Sequence, residues 1–346
     1  METVEQGKGE AGQMNGHRPG GLLSLLFAAM VSGAPAAGKD ALFDVDAALS
    51  AVVRLRSEIP ADARTAPILG TLREGNGVVI DSDGLVLTIG YLILEAMAVS
   101  VSGADGKLVP ATVVGFDYDT GFGLVRAQQS LGINPLRIGS SSDLKERTAV
   151  LVAGSGGREQ TIGAFVVSRR EFAGYWEYLL DEAIFTAPAH PNWGGAALIG
   201  PDGKLVGIGS LFVNDAVQGD QPFPGNMFVP IDLLKPILAD LLAQGRPGKP
   251  SKPWLGMYTV EHQGQLVITQ VAPDSPAAKA GLKPGDVVVK VSNQLVRDVP
   301  GLYRRIWGLG LAGVAVPFTV LRGDRALDLT VNSVDRSDYL RLKRSY

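Results

Sequence analysis

The chain has 346 residues, enough for two or three domains that each bury a core of their own. Hydrophobic residues make up 46% and charged residues 19%, the proportions of a globular protein and not of a disordered one. A net charge of −3 excludes a global positive field of the kind that holds nucleic acid. The absence of cysteine and the presence of only three histidines exclude disulfides, thiol nucleophiles and histidine-rich metal centres, so no cofactor or metal is expected.

The N-terminal segment 1–37 has the pattern of a secretory signal. Arg18 precedes the apolar run Leu22–Val31, and the small residues Ser-Gly-Ala-Pro-Ala-Ala follow at 32–37. The run is well short of the roughly 20 residues that span a bilayer. The stretch before it is acidic, so translation from Met14 would give a more ordinary signal than translation from Met1. A buried apolar helix is the alternative; export, to a bacterial periplasm, is the preferred prediction.

Short apolar runs separated by turn signals fill residues 41–244. A helix leading into a strand is expected at 41–56, a strand pair around the turn Asp81–Gly84, and a closing helix at Ile231–Gln244. Many short strands at close spacing favour barrels or sandwiches. The remaining strands are expected at Met97–Ser102, Leu108–Gly115, Gly123–Ala127, Thr148–Ala153, Thr161–Ser168, Ala183–Thr186, Ala196–Ile199, Leu205–Ser210 and Met227–Pro230.

Residues 245–253, with the sequence GRPGKPSKP, indicate a linker and a domain boundary. The mixture of strands and helices over 254–337 predicts a small separate domain, and 338–346 is expected to be a solvated basic tail. Its strands are expected at Trp254–Val260, Gln265–Val271, Asp286–Val291, Val316–Arg322 and Ala326–Val331, and its helices at Ser275–Ala280 and Val299–Ile306.

The chain contains six motifs in a fixed order. They are Gly75–Ile80 with Gly84 and Leu87-Thr88; Val114–Thr120; Asn192–Gly195; Asp202-Gly203 with Val206–Ile208; Met227–Ile231; and Trp254–Met257 with Val271–Ala277, Ala280–Leu282 and Pro284–Asp286. Their order and spacing resemble the HtrA/Deg branch of the trypsin-like serine proteases. The resemblance implies a mainly β protein, with a trypsin-like double β-barrel over 41–244 followed by a small α/β PDZ domain over 254–337.

Serine catalysis of this kind needs a serine nucleophile, an imidazole base, a carboxylate that orients the base and two N–H donors for the oxyanion. The resemblance places Tyr91 at the histidine position, Gly121 at the aspartate position and Trp193 at the serine position. Pro191, which has no N–H, stands where a glycine donates to the oxyanion. Because no histidine lies between 18 and 189, shifting the alignment restores nothing. The sequence therefore predicts a pseudoprotease.

Other residues near this site have ordinary interpretations. His190 has no serine or carboxylate beside it in the sequence, so a surface or packing role is favoured over chemistry. Asp119 is expected to be solvated or bonded to its own backbone. Trp193 either fills the vacated cleft or offers a recognition surface. The aromatic cluster Tyr175–Tyr178 is expected in a loop, either as packing or as an exposed contact patch.

The C-terminal domain is expected to bind peptides. The resemblance assigns a carboxylate-binding loop to Trp254, Leu255, Gly256 and Met257, whose N–H groups would hold a C-terminal carboxylate while the peptide adds as a strand beside Tyr258. Leu302 and Ile306, four residues apart, would face that groove; packing of the domain core is their alternative role. Occupation of the groove by the chain's own residues stays open.

The preferred function is a non-catalytic scaffold or regulator of the cell envelope that binds protein C-termini. Partners could be an active relative or another envelope protein, and the resemblance also allows a homo-oligomer. The first alternative is an endopeptidase with a non-standard nucleophile, Ser210 or Ser155. The second is a structural subunit of a larger envelope complex with the peptide groove unused.

Overall fold

The computed structural model describes residues 43–340, which belong to one compact unit; the predicted signal lies outside the described residues. The chain enters through helix α1, whose first turn is capped by the Asp44 carboxylate accepting from the Ala47 N–H. A closed barrel follows, in the strand order β1-β2-β3-β6-β5-β4. Its elements are α1 Val45–Ser50, β1 Val52–Glu58, α2 Ala66–Leu69, β2 Leu72–Val79, β3 Leu85–Ile89, β4 Ala98–Ser102, β5 Val109–Phe116 and β6 Phe122–Ala127.

A second closed barrel has the order β10-β11-β12-β9-β8-β7. Residues of both barrels contribute to one apolar core, and the second barrel has a further apolar cluster of its own. The fold is mainly β, as the sequence predicts. The strands are β7 Ala149–Ala153, β8 Thr161–Gly174, β9 Tyr178–Ala187, β10 Ala197–Ile199, β11 Leu205–Val217 and β12 Phe223–Pro230, and helix α3 is Leu238–Gln244.

Two expectations for the second barrel are wrong. The strands that flank the aromatic cluster are expected to end at Ser168 and to begin again at Ala183, but β8 continues to Gly174 and β9 starts at Tyr178. The expected loop is therefore reduced to residues 175–177, at the tip of a long hairpin. The closing helix is broken, with a 3-10 turn at Ile231–Leu233 and α3 beginning only at Leu238. Pro236 lies between them, and a proline removes a helical N–H and clashes with the preceding turn.

A third unit contains a sheet in the order β13-β14-β15-β17-β18, with β16 paired to β15. Strand β13 is at the edge of this sheet, and its core is separate from that of the barrels. The elements are β13 Met257–His262, β14 Gln265–Val271, α4 Pro276–Lys279, β15 Val287–Val291, β16 Gln294–Leu295, α5 Val299–Trp307, β17 Ala315–Arg322, β18 Arg325–Asn332 and α6 Arg336–Tyr339.

The connection at 245–253 is fixed to both domains. The Gly245 oxygen accepts from the Phe116 N–H, and Lys249 and Lys252 pair with Asp119 at 2.6 and 3.4 Å. On the other side, the Ser251 hydroxyl donates to Asp335 at 2.6 Å. Asp119 is therefore an ion-pair partner of the linker, where a solvated or self-bonded carboxylate was expected.

The boundary predicted for the basic tail, residue 338, is also wrong, since it falls inside α6. Tyr339 packs its ring against Trp254, with ring centroids 4.5 Å apart, and Leu340 is buried against Leu94 and Phe116 of the first barrel. The segment after 337 thus continues the folded structure through residue 340. Within residues 43–340, no helix is long and apolar enough to cross a membrane.

Candidate functional site

The turn Asn192–Gly195 lies in the cleft between the barrels and is held by Asn76 of β2. The Asn76 N–H and side-chain amide both donate to the Gly194 oxygen, at 2.8 and 3.1 Å, and the amide also donates to the Asn192 oxygen at 2.9 Å. Gly195 has φ of 73°, and a Cβ there would overlap the Asn76 carbonyl oxygen. The backbone of this turn therefore requires the glycine that the sequence retains.

Tyr91 stands on a 3-10 turn directly after β3 and reaches the same cleft. Its hydroxyl donates to the Ser210 oxygen at 2.9 Å, and a Cβ on Gly194 would come within 2.8 Å of the hydroxyl oxygen. The residue is partly exposed, but the surroundings of the phenol raise its pKa far above the ordinary value by desolvation. The phenol is thus neutral near pH 7 and cannot act as a base there.

Gly121 ends the turn that follows β5 and has no side chain to offer. Its φ is 84°, and its carbonyl oxygen accepts from the Gly90 N–H at 2.6 Å, beside Tyr91. The preceding oxygen, that of Thr120, accepts from the Tyr178 hydroxyl at 2.7 Å. The groups that meet at this point are thus backbone carbonyls and the Tyr178 hydroxyl.

Trp193 is half-buried, and its ring lies against Phe212 of β11, with ring centroids 5.7 Å apart. Phe212 is itself 42% exposed, so the two rings form a partly exposed aromatic pair. Pro191 is exposed at the start of the turn. Trp193 offers an indole and Pro191 has no backbone N–H to donate.

His190 is buried, with 1% of its surface exposed, and both ring nitrogens are engaged. Nδ1 accepts from the Asn192 N–H at 3.0 Å, which leaves the ring proton on Nε2 to donate to the Gln160 oxygen at 3.1 Å. Burial lowers the pKa of His190, although the two backbone contacts partly oppose it. The ring is a neutral packing element, and neither nitrogen offers a lone pair to a nucleophile.

The two alternative nucleophiles lack a histidine base as well. Ser210 is buried in β11, and Ser155 donates its N–H to the Asn76 side-chain oxygen at 2.8 Å. His262, the remaining histidine after residue 190, is exposed at the end of β13 in the third unit. A general-base mechanism through imidazole therefore has no group available to either serine.

In the loop before β13, three of the four N–H groups expected to hold a carboxylate converge on one, while the Trp254 N–H donates instead to the Val334 oxygen at 3.0 Å. Gly256 has φ of 80°, and a Cβ there would overlap Ser275. The N–H groups of Leu255, Gly256 and Met257 all point at the Glu177 carboxylate, which accepts them at 3.0, 2.7 and 3.1 Å. Glu177 comes from the tip of the β8–β9 hairpin, and sequence analysis did not single it out.

The other predicted peptide-binding residues are spread over two roles. Trp254, Leu255 and Met257 are buried, and Tyr258 lies 6.0 Å from Tyr175 between ring centroids. Leu302 and Ile306 are 0% and 1% exposed and belong to the core of the unit, against which Ala173 and Leu179 of the hairpin also pack.

The helix side chain that hydrogen-bonds the hairpin is Tyr303, which sequence analysis missed. Its hydroxyl donates to the Gly174 oxygen at 2.8 Å and accepts from the Glu177 N–H at 3.1 Å.

A cavity of about 510 Å³ lies between the cleft and the third unit. Aromatic side chains from the barrels and from the third unit contribute to its walls: Tyr91, Tyr118, Trp176, Tyr178, Tyr258 and Tyr339. In the part of the chain that the structure describes, no group of histidine, aspartate and glutamate side chains is arranged to hold a metal ion.

Comparisons with known proteins give the class of the two domains. Residues 75–208 match the trypsin-like peptidase domain, and residues 253–332 match the PDZ domain. The chain is a trypsin-like peptidase domain followed by a PDZ domain. Among proteins of that class it is HtrA-like, on the two domain matches together with its similarity to serine proteases such as HhoA and DegS.

Three relatives illustrate the extent of the match. Serine protease PepD of Mycobacterium tuberculosis is 30% identical over 66% of this chain and 54% of its own length. Putative serine protease HhoA of Synechocystis is 28% identical over 82% and 81%. A probable periplasmic serine endoprotease DegP-like of Pseudomonas fluorescens is 28% identical over 76% and 57%. The chain thus spans just over half the length of two of them.

Among solved structures, a variant of the HtrA-type protease AlgW with a tripeptide has a TM-score of 0.50 and 21% identity, covering 86% of this chain and 96% of that one. At this level of identity the likeness concerns the fold.

Proposed function

We propose that this protein is a non-catalytic, PDZ-containing scaffold or regulator that binds the C-termini of other proteins. The observation that carries the proposal is the state of the cleft: Tyr91, neutral and hydrogen-bonded to the Ser210 oxygen, stands where a base is needed. Gly121, Trp193 and Pro191 supply no carboxylate, nucleophile or N–H at the other three positions. A fold maintained around such a cleft supports binding as the retained activity.

The PDZ match and the loop at 254–257 support peptide carboxylates as ligands. We place the protein in the cell envelope after export, a proposal supported by the signal-like segment 1–37 and by a relative named as probably periplasmic. Its partners in this proposal are an active relative or another envelope protein, with a homo-oligomer as a further possibility. In this proposal the trypsin-like domain comprises residues 41–244, the linker residues 245–253 and the PDZ domain the residues from 254.

A digestion assay on the purified protein tests the loss of catalysis. We expect no cleavage of casein or of an unfolded protein by wild type, with an active HtrA protease as positive control. Ser210→Ala and Ser155→Ala are the matched variants. Turnover by wild type that one of these two changes abolishes would overturn the proposal, whereas turnover that survives both would point to a contaminant.

The second candidate is an endopeptidase that uses a non-standard nucleophile. It is favoured by the relatives, whose names describe serine proteases. A structural subunit with an unused groove is the third, and the Glu177 carboxylate in the loop favours it. Co-purification from the host separates this last class, because a stable partner that is retained when peptide binding is absent supports a structural role.

A further inference from the structure

The carboxylate-binding loop of the PDZ domain already holds a carboxylate from the same chain. We propose that the hairpin tip, Tyr175–Glu177, is an internal ligand of the PDZ domain that keeps its peptide groove closed. The inference rests on the proposed peptide-binding function, because it concerns access to the same groove. Three independent sets of contacts support it.

The first set is the carboxylate contact. Glu177 Oε1 accepts from the N–H groups of Gly256 and Met257, at 2.7 and 3.1 Å, and Oε2 accepts from Leu255 at 3.0 Å. A nest of successive backbone N–H groups is the means by which such loops capture the terminal carboxylate of a peptide. A side-chain carboxyl group offers the same pair of oxygen acceptors, so Glu177 satisfies the loop N–H groups as the end of a peptide would.

The second set is the strand contact. Strand β13 is at the edge of the PDZ sheet, paired on one side with β14 and open on the other. On the open side the Tyr175 oxygen accepts from the Thr259 N–H at 3.0 Å. A peptide that adds to an edge strand uses backbone bonds of this kind. Tyr175 thus contacts the strand and Glu177, two residues later, contacts the loop, which is the order expected of the last residues of a bound peptide.

The third set closes the groove from the helix side. The Tyr303 hydroxyl of α5 bridges the Gly174 oxygen and the Glu177 N–H. The next residue, Arg304, pairs with Glu171 and Asp181, one on each strand of the hairpin. The tip is therefore clamped between β13 and α5, which are the two walls of a PDZ groove.

The backbone at the tip is itself constrained. Glu177 has φ of 59°, in the left-handed region that residues other than glycine seldom occupy. It is the last residue of a three-residue hairpin loop, a position that is commonly left-handed. This turn geometry places the Glu177 side chain where it enters the carboxylate-binding loop. An external peptide must displace this tip. Its apparent affinity is therefore the intrinsic affinity multiplied by the fraction of molecules in which the groove is open.

Two measurements on the full chain test the proposal, with Glu177→Ala as the main variant. Hydrogen exchange of the amides in 254–259 reports occupation of the loop without any ligand. Fluorescence anisotropy reports binding of labelled decapeptides that end in leucine, valine or phenylalanine with a free carboxylate. The same peptides with amidated ends are the negative probe. Glu182→Ala is the matched control, because Glu182 is an exposed residue of the same hairpin that pairs with Arg169 of β8.

We expect Glu177→Ala to lose exchange protection in 254–259 and to bind at least one free-carboxylate peptide at least about tenfold more tightly than wild type. Glu182→Ala should match wild type in both. Tyr303→Phe, which removes only the hydroxyl bridge, should shift both readings in the same direction and serves if Glu177→Ala does not fold. Unchanged protection in both variants, or equal peptide affinity in wild type and variants, would overturn the internal ligand. Lost protection with no peptide bound by any variant would support occupation of the loop by Glu177 and overturn the proposed peptide-binding function instead.

Discussion

The Tyr91 hydroxyl hydrogen-bonds the Ser210 backbone oxygen, 2.9 Å away, and so joins the 3-10 turn after β3 in the first barrel to β11 in the second. Tyr91 thus links the two barrels directly. Tyr91→Phe keeps the ring and removes this bond, so we expect a loss of about 1 kcal/mol in the free energy of unfolding. Urea unfolding measures it, with Tyr175→Phe, at an exposed tyrosine, as control. An equal effect of the two changes would mean that the bond contributes nothing.

Asn76 should contribute more, because one buried side chain holds three backbone groups. Its amide donates to the Asn192 and Gly194 oxygens, and its oxygen accepts from the Ser155 N–H. Asn76→Ala removes the side-chain partner of the Asn192 oxygen and of the Ser155 N–H, while the Gly194 oxygen keeps the backbone N–H of residue 76. We expect a loss of about 2 kcal/mol by denaturant titration. Asn192→Ala, on an exposed side chain of the same turn, should cost less than about 0.5 kcal/mol. A small effect of Asn76→Ala would show that water replaces its contacts.

Peptide binding should depend on pH through Glu177. Burial raises the pKa of Glu177 from 4.5 to about 7, although the loop N–H groups and Arg336 partly oppose it; Tyr303 and Tyr258 are the other titratable groups nearby. The stability that Glu177 adds to docking is full below its unfolded value of 4.5 and is lost as the pH rises through about 7.

Displacement of Glu177 releases a proton in that window, whereas a peptide terminus stays ionised throughout. We expect anisotropy titrations to show at least about tenfold tighter binding at about pH 8 than at about pH 5. Glu177→Gln should bind with nearly the same affinity at both values. A pH dependence that persists in Glu177→Gln would assign the effect to another group.

The stability of the PDZ domain should depend on Arg322, which forms an ion pair with the buried Asp286 of the Pro-Gly-Asp motif. The guanidinium donates to both carboxylate oxygens, at 2.7 and 2.8 Å, and also to the Gly281 oxygen. Burial opposes the charge of Asp286, but Arg322 and the Lys283 N–H hold its pKa below the ordinary value.

Arg322→Met leaves that carboxylate without a counter-ion. We expect a loss of about 2 kcal/mol in unfolding free energy at pH 7, less than for a fully buried pair because the Arg322 side chain is 34% exposed. Because the pKa of Asp286 is lower in the folded protein, its ion pair adds its full stability only above the unfolded value of 3.8 and loses it as the pH falls through the folded value. The destabilisation by Arg322→Met should therefore shrink as the pH falls to about 3. Lys290→Met on β15 is the control, and equal costs at both pH values would contradict the assignment.

The motifs allowed the sequence to predict the fold, whereas the loss of a catalytic triad at Tyr91, Gly121 and Trp193 stays a prediction. Turns such as Asn192–Gly195 require particular glycines, and PDZ loops require Gly256, so the sequence marks them directly. The long hairpin was harder. Residues 169–174 and 178–182 mix charged, aromatic and aliphatic or small residues without a regular alternation that would signal a strand.

Glu177 had no signal that single-sequence reasoning could use. Its role comes from contact with a loop about 80 positions further along the chain, and nothing in its neighbours marks an acid that will be buried. The break at Pro236, by contrast, was available from the sequence, since a proline inside an apolar helical pattern ends or kinks the helix. The contacts of Asp119 with Lys249 and Lys252 depend on how the linker folds back, which composition alone does not indicate.

The bonds that Lys249, Lys252 and Ser251 make leave the connection between barrel and PDZ domain with little freedom to act as a hinge. Rotational diffusion should reflect this. In NMR relaxation measurements, backbone amides of both domains are expected to share a single rotational correlation time, that of one rigid particle. Two independently tumbling domains would each show a shorter one. Because the lysine pairs are partly exposed, added salt should screen them and let the two correlation times diverge.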